Sequence, residues 1–237
     1  MFSTPDAAAG ALATAIARAL AARPRLVLGL PTGRTPIPLY RGLVALHHAG
    51  RADFSQATTF NLDEFLGLPP RHPSSYRAFM QRQLFDHVNL RPAHIHFLNG
   101  ATRDVEGECA RYERAIGRAG GIDLQILGLG ANGHIGFNEP APALIASTHC
   151  AVLRRATRLA NAGLFGKGVP VPRRALSMGM ATILHAQRIV LLATGRAKAR
   201  SIERAINGAV TPRLPASFLQ LHGAVEVWLD RAAASRL

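Results

Sequence analysis

Strand-length apolar runs and helix-spaced segments take turns along almost the whole chain, and that alternation is what most restricts the fold. The runs occupy residues 25–30, 58–65, 95–98, 123–129, 188–194 and 224–229. Each is short, apolar and bounded by turn residues, the pattern of a buried strand. Between them, apolar positions recur at helical spacing over residues 38–48, 75–88, 104–119, 175–186 and 196–206. A further helix is predicted over the Ala-rich residues 7–22, with Ser3 or Thr4 as its cap and Pro5 in its first turn. Parallel neighbours in a sheet need long crossovers, and helices supply them. The order therefore predicts an α/β fold: a doubly wound, mostly parallel sheet of modified Rossmann-like type with helices on both faces. At 237 residues and 48% hydrophobic content, one domain covering residues 1–237 is the expectation. Residues 163–174 are the least regular stretch and are read as a surface loop.

A formal charge of +14 raises the question of nucleic acid, since clustered Lys and Arg neutralise phosphates. The basic residues are instead scattered over nearly every segment, with no run of like charge and no stripe interleaved with aromatics, so no nucleic-acid partner is expected. Only two of the 28 Lys and Arg residues are lysines, Lys167 and Lys198. The two cysteines, Cys109 and Cys150, show neither metal nor redox spacing, which points to a reducing, cytoplasmic setting. Arg18 interrupts the Ala-rich start and no apolar run is long enough to span a bilayer, so no membrane association is expected.

In open parallel sheets, ligands bind outside the carboxyl ends of the strands, and three such loops stand out. The first strand runs into Pro31-Thr32-Gly33-Arg34-Thr35-Pro36, after which a helix begins. Exposed backbone N–H groups, the positive end of a helix dipole and two threonine hydroxyls would converge there on an anion, phosphate above all; the other reading is an ordinary turn capped by Thr. With Gly33 as its only glycine, the loop is neither a P-loop nor a dinucleotide fingerprint. The second strand ends in Phe60-Asn61-Leu62-Asp63-Glu64-Phe65, where alternation sends the two acids to opposite faces. One can then look into a site while the other caps or pairs. A carboxylate in a partly dry cleft gains a higher pKa and becomes a usable proton shuttle. The fourth strand ends in the stretch 128–140, with glycines at 128, 130, 133 and 136 and with His134 and Glu139 five residues apart. Imidazole titrates in the range useful for proton transfer, and a carboxylate nearby can orient it and raise its basicity. No second His, Asp or Cys stands at ligand spacing, so no metal is expected.

These residues resemble the glucosamine-6-phosphate deaminase family, which belongs to a larger group that includes 6-phosphogluconolactonases. The resemblance rests on residues 30–36 with Tyr40, on residues 59–65 followed by Gly67-Leu68 and His72-Pro73-Ser74-Ser75-Tyr76, on Gly133-His-Ile-Gly-Phe-Asn-Glu-Pro140, and on Leu219-Gln-Leu-His222. It implies conversion of glucosamine 6-phosphate and water to fructose 6-phosphate and ammonia, without metal or cofactor. By motif position it implies Asp63 as the base that moves the C2 proton to C1. His134 would assist ring opening, Glu139 would orient and charge-balance His134, and Asn132 would stand where the family has Asp or Asn. Asn there leaves one negative charge fewer, so His134 should have a lower pKa than in Asp-bearing members. Thr32, Gly33, Arg34, Thr35 and Lys198 would hold the sugar phosphate. One departure is Gly163, in Asn161-Ala162-Gly163, where the family has a phosphate-binding Arg; Arg34 is a candidate to replace its charge. The chain also stops soon after Asp230, without the tail of the allosteric hexamers, so strong activation by the N-acetylated sugar phosphate is not expected, and a monomer or a small homo-oligomer remains open. Alternatives are a deaminase for galactosamine 6-phosphate, a lactonase, and a sugar-phosphate-sensing regulator; against the last, no helix-turn-helix segment precedes the first strand.

Overall fold

The computed structural model describes residues 1–166 and 168–237; Lys167, one of the two lysines, lies outside the described residues. The chain opens on α1 (Pro5–Ala22), with Pro5 in its first turn and the Thr4 hydroxyl accepting the Ala7 N–H at 3.1 Å. The large sheet is built from β1 (Val27–Leu30), β2 (Thr58–Asn61), β4 (Ile95–His96), β5 (Leu124–Leu127), β8 (Arg188–Ala193) and β9 (Val225–Leu229). Its order is β4-β2-β1-β5-β8-β9, and every neighbouring pair is parallel. The connecting helices are α2 (Ile37–His48), α3 (Tyr76–Gln83), α4 (Val105–Arg118) and α7 (Ala199–Asn207). Asp123 fixes the start of the central pairing, because its carboxylate accepts the Val27 N–H at 2.8 Å and pairs with Arg23 at 2.6 Å.

Both faces of this sheet are covered, which is why its strands are apolar at consecutive positions rather than alternate ones. Leu28, Leu30, Leu124, Ile126, Val190 and Leu192 pack with α1, α2 and α3 in one core. Their sequence neighbours Val27, Leu127, Ile189, Leu191 and Ala193 pack with α4 and α7 in the other. Tyr40 of the first core and Tyr112 of the second are fully buried, and each hydroxyl finds a carbonyl: Pro31 O for Tyr40, Asn61 O at 2.6 Å for Tyr112. These two bonds tie helices to the carboxyl ends of β1 and β2, where the loops of interest begin.

The predicted strand over residues 58–65 is in fact two. The chain steps across at Leu62, whose N–H donates to Leu30 O at 3.3 Å and whose carbonyl accepts the Met178 N–H at 2.8 Å. Beyond that step β3 (Asp63–Phe65) joins a second, antiparallel sheet of order β3-β7-β6, with β6 (His149–Val152) and β7 (Arg174–Ser177). The helix predicted over residues 175–186 is overturned by the same sheet. Ala175 and Leu176 are fully buried, Leu176 pairing with Glu64 of β3 and Cys150 of β6, and only the short α6 (Met180–Leu184) remains helical. Burial and ladder pairing outweigh an Ala- and Leu-containing helical pattern here. Strand β6 and helix α5 (Arg155–Asn161) were not foreseen from sequence.

Candidate active site

The carboxyl ends of β1, β5 and β8 and the start of β3 surround a cleft of about 270 Å³. On its floor the chain leaves β1 at Pro31. Gly33, at φ +98°, turns it where an L side chain would be strained, and α2 begins at Ile37. No side chain caps α2, so the cleft meets the bare positive end of a 12-residue helix. Thr32, Gly33, Arg34 and Thr35 all line the cleft, and Lys198 lines it from the turn before α7. Gly195 shapes that turn, donating its N–H to Asp230 at 3.0 Å. Burial and then the charge of Arg34 hold the Lys198 ammonium below its usual pKa.

Asp63 and Glu64 go to opposite faces of β3 and meet different fates. Glu64 points at the start of α3, where its carboxylate accepts N–H groups from Tyr76 and Arg77, each at 2.9 Å, and from Phe65 at 2.8 Å. Burial nevertheless lifts it to about 7 against these donors. Asp63 faces the cleft and is 6% exposed. Its one side-chain hydrogen bond among the described residues comes from the Thr32 hydroxyl at 3.5 Å, a weak one. Burial, then the charge of Glu64, push Asp63 up to about 8, and the Thr32 hydroxyl pulls the other way. The carboxyl group that faces the cleft is thus the one with almost no donors.

The glycine-rich string after β5 folds into a tight turn, Gly133 N–H donating to Gly130 O at 3.0 Å and Gly130 N–H to His134 O at 2.9 Å. A Cβ on Gly130 would lie 2.2 Å from His134 ring atoms, so glycine is what lets the imidazole fold back over its own turn. Glu139 and Asn132 stand behind the ring. The Asn132 amide nitrogen donates to Glu139 Oε2 at 2.9 Å, and Asn132 Oδ1 lies 2.6 Å from His134 Nδ1; Glu139 Oε2 itself is 3.9 Å from that nitrogen. A carboxylate only accepts, so it fixes which way the amide points. The amide oxygen then faces Nδ1, the proton resides on Nδ1, and Nε2 is left with its lone pair. Burial and the Lys198 charge lower the His134 pKa and Glu139 raises it, with a net lowering that keeps the ring neutral at neutral pH.

Two further side chains line the cleft that residue chemistry alone did not assign. The Tyr76 hydroxyl donates to Asn161 Oδ1 at 2.8 Å, joining the first residue of α3 to the last of α5 across the cleft. The ring of Tyr76 lies nearly parallel to that of Phe137, with centroids 5.8 Å apart. Tyr76 and Phe137 stood in motifs of the resemblance, but the Tyr76–Asn161 contact is spatial, between residues 85 apart in sequence. Gly163, one turn beyond α5, is exposed and does not line the cleft. Among the described residues no group of three or more His, Cys, Asp or Glu is placed to hold a metal ion, and no helix is long and apolar enough to cross a membrane.

The family model described as glucosamine-6-phosphate isomerases/6-phosphogluconolactonase matches residues 3–228. The glucosamine-6-phosphate deaminase of Halothermothrix orenii is 52% identical over 91% of this chain and 89% of its own length. That of Rhodopirellula baltica is 49% identical over 98% and 92%. Among solved structures, a monomeric glucosamine-6-phosphate deaminase superposes with a TM-score of 0.95 at 40% identity, over 99% of this chain and 98% of that one. The 6-phosphogluconolactonase of Trypanosoma cruzi, at TM-score 0.80 and 20% identity over 100% and 95%, shares the fold. By sequence and by fold, the chain belongs to the glucosamine-6-phosphate isomerase/6-phosphogluconolactonase family.

Proposed function

We propose that the protein is a glucosamine-6-phosphate deaminase of amino-sugar catabolism, acting in the cytoplasm as a single functional unit. The observation that carries this reading is the pairing of Asp63, a nearly dry carboxyl group poised near neutral pH, with a neutral His134 in the same phosphate-sized, cation-tipped cleft. The sugar phosphate is held at one end by the backbone and hydroxyls of Thr32, Gly33 and Thr35 with Arg34 and Lys198. His134, with its free Nε2, passes the proton of the anomeric hydroxyl to the ring oxygen, which opens the pyranose to the aldehyde. Asp63 then takes the proton from C2, giving an enolamine, and returns it at C1. The product is a ketose imine at C2, which water hydrolyses to fructose 6-phosphate and ammonia. Asn132 and Glu139 are positioning residues behind His134. No step of this scheme is routed through a metal or an organic cofactor.

The direct test is ammonia release by purified protein from glucosamine 6-phosphate, with galactosamine 6-phosphate and 6-phosphogluconolactone alongside. Ammonia from the gluco sugar and no acid from the lactone is the expected result; acid release without ammonia would reassign the protein to lactone hydrolysis. A second expectation concerns pH. Glu139→Gln keeps an oxygen for the Asn132 amide but removes the charge that raises His134. The imidazole of the variant stays neutral to lower pH, so the acidic limb of kcat/KM should shift downward. A limb that stays put would mean that Glu139 does not act on His134 electrostatically.

A further inference from the structure

The stretch between His134 and Glu139 is held from outside the loop as well as from within. Residues 135–138 close a tight turn, Asn138 N–H donating to Ile135 O at 3.2 Å. Two buried side chains then fasten that turn to the end of β7. Ser177 Oγ accepts the Phe137 N–H at 3.0 Å and donates to Met178 O at 3.0 Å. The Asn138 amide nitrogen donates to Ile135 O at 3.0 Å and to Met178 O at 2.9 Å. Carbonyl oxygens only accept, so these two neighbours fix which way the amide points. Its Oδ1 is left buried with no hydrogen-bond partner among the described residues. An apolar side chain of the same size would avoid that penalty, so packing alone does not account for an amide here.

Ser177 is also the residue of β7 that pairs with Asp63 across the small sheet, and the next residue, Met178, donates its N–H to Leu62 O at 2.8 Å. The end of β7 is therefore bonded on one side to the strand that carries Asp63 and on the other to the turn that carries His134 and Glu139 at its two ends. Ser177 and Asn138 do not line the cleft, so they act on its chemistry only through other residues. We propose that Ser177 and Asn138 are positioning residues that hold the His134–Glu139 turn in register with Asp63, so that one bound sugar meets the ring-opening group and the base together. This rests on the sugar-phosphate reading above and adds to it what keeps its two proton-transfer groups in step. The loop after β5 follows the large sheet and Asp63 follows the small one. Proton transfer requires both groups within hydrogen-bond reach of one substrate, and a shift of a fraction of an ångström between the sheets is enough to slow it.

The experiment compares Ser177→Ala with Thr182→Ala. Thr182 is likewise buried, in α6, but its hydroxyl donates to Glu113 at 2.6 Å, away from the cleft. It reports what the loss of a buried hydroxyl does when the turn is untouched. Both variants should melt below the wild type. Well below those melting points, only Ser177→Ala should lower kcat for ammonia release from glucosamine 6-phosphate, by about 10-fold, with KM changed less than about twofold because the phosphate loop lies elsewhere. Asn138→Leu, which keeps the volume and loses both donors, should behave as Ser177→Ala does. The titration of His134, followed by NMR and assigned against His134→Gln, should also leave its wild-type value in Ser177→Ala, because the turn sets the 3.9 Å across which Glu139 acts on the ring. A wild-type kcat in Ser177→Ala, an equal loss in Thr182→Ala, or superimposable His134 titrations overturns the proposal. A wild type that releases no ammonia would instead count against the deaminase reading, and the titration would still decide whether Ser177 positions His134.

Discussion

Asp63→Asn is expected to remove ammonia release almost completely and, at pH 8.5, to make the protein more stable than the wild type. The loss of rate follows from the proposed role: an amide of the same shape cannot accept the C2 proton, and removal of a positioned general base costs about 10²- to 10⁴-fold. The gain in stability follows from the surroundings of the carboxyl group. Folded Asp63 holds its proton up to about pH 8, while an unfolded Asp releases it near pH 3.9, about the model-peptide value. Between these values the folded state binds the extra proton, so stability falls as pH rises through the window. The penalty is absent below the unfolded pKa and complete above the folded one. A neutral Asn escapes it, so the variant should melt measurably above the wild type at pH 8.5. At pH 4 the advantage should vanish. Thermal unfolding of both proteins at the two pH values, beside the ammonia assay, checks this. Equal melting temperatures at pH 8.5, or activity within tenfold of wild type, would show that Asp63 is neither strained by burial nor the base.

Gly130→Ala should cost about 100-fold in turnover with little change in melting temperature. Gly130 is outside the left-handed region, so alanine fits its backbone; what it lacks is room. The new Cβ would lie 2.2 Å from Cε1 and Nδ1 of His134 and 2.5 Å from Nε2. The ring cannot yield without leaving the 2.6 Å contact with Asn132 that sets its tautomer. A displacement on the scale of 1 Å at a proton-transfer group costs about 10²-fold. Gly10→Ala is the matched control, since a Cβ there meets nothing within 4 Å; it should leave turnover alone. If Gly130→Ala kept a third or more of wild-type turnover, the position of His134 would not matter to the reaction.

Much of the parallel sheet was legible because its strands are buried on both faces and read as unbroken apolar runs. The opposed directions of Asp63 and Glu64 were legible for a related reason, the two-residue period of a strand, which survives the break at Leu62. The second sheet was not. Its strands come from residues 63–65, 149–152 and 174–177, so no local pattern announces their pairing. In Arg174–Ser177 the helix-favouring Ala and Leu pointed the wrong way until long-range burial decided the matter. Asn132 was legible as a neighbour of His134, but not as the link between His134 and Glu139, because the amide orientation follows from the carboxylate lying behind it. The contact between Tyr76 and Asn161 depends on the start of α3 meeting the end of α5, which no spacing encodes.

The division of the site between two sheets has a consequence for how such a protein changes its substrate. The proposed anion grip belongs to the large sheet, through the loop after β1 and the turn after β8. Asp63 belongs to the small one. The gap between grip and base is therefore a ruler whose two ends are mounted on separate plates, joined at Leu62. Under the proposed assignment, substitutions in β6 or β7 would alter that length, and with it which carbon of a phosphorylated sugar meets the carboxyl group, while the loop after β1 stays as it was.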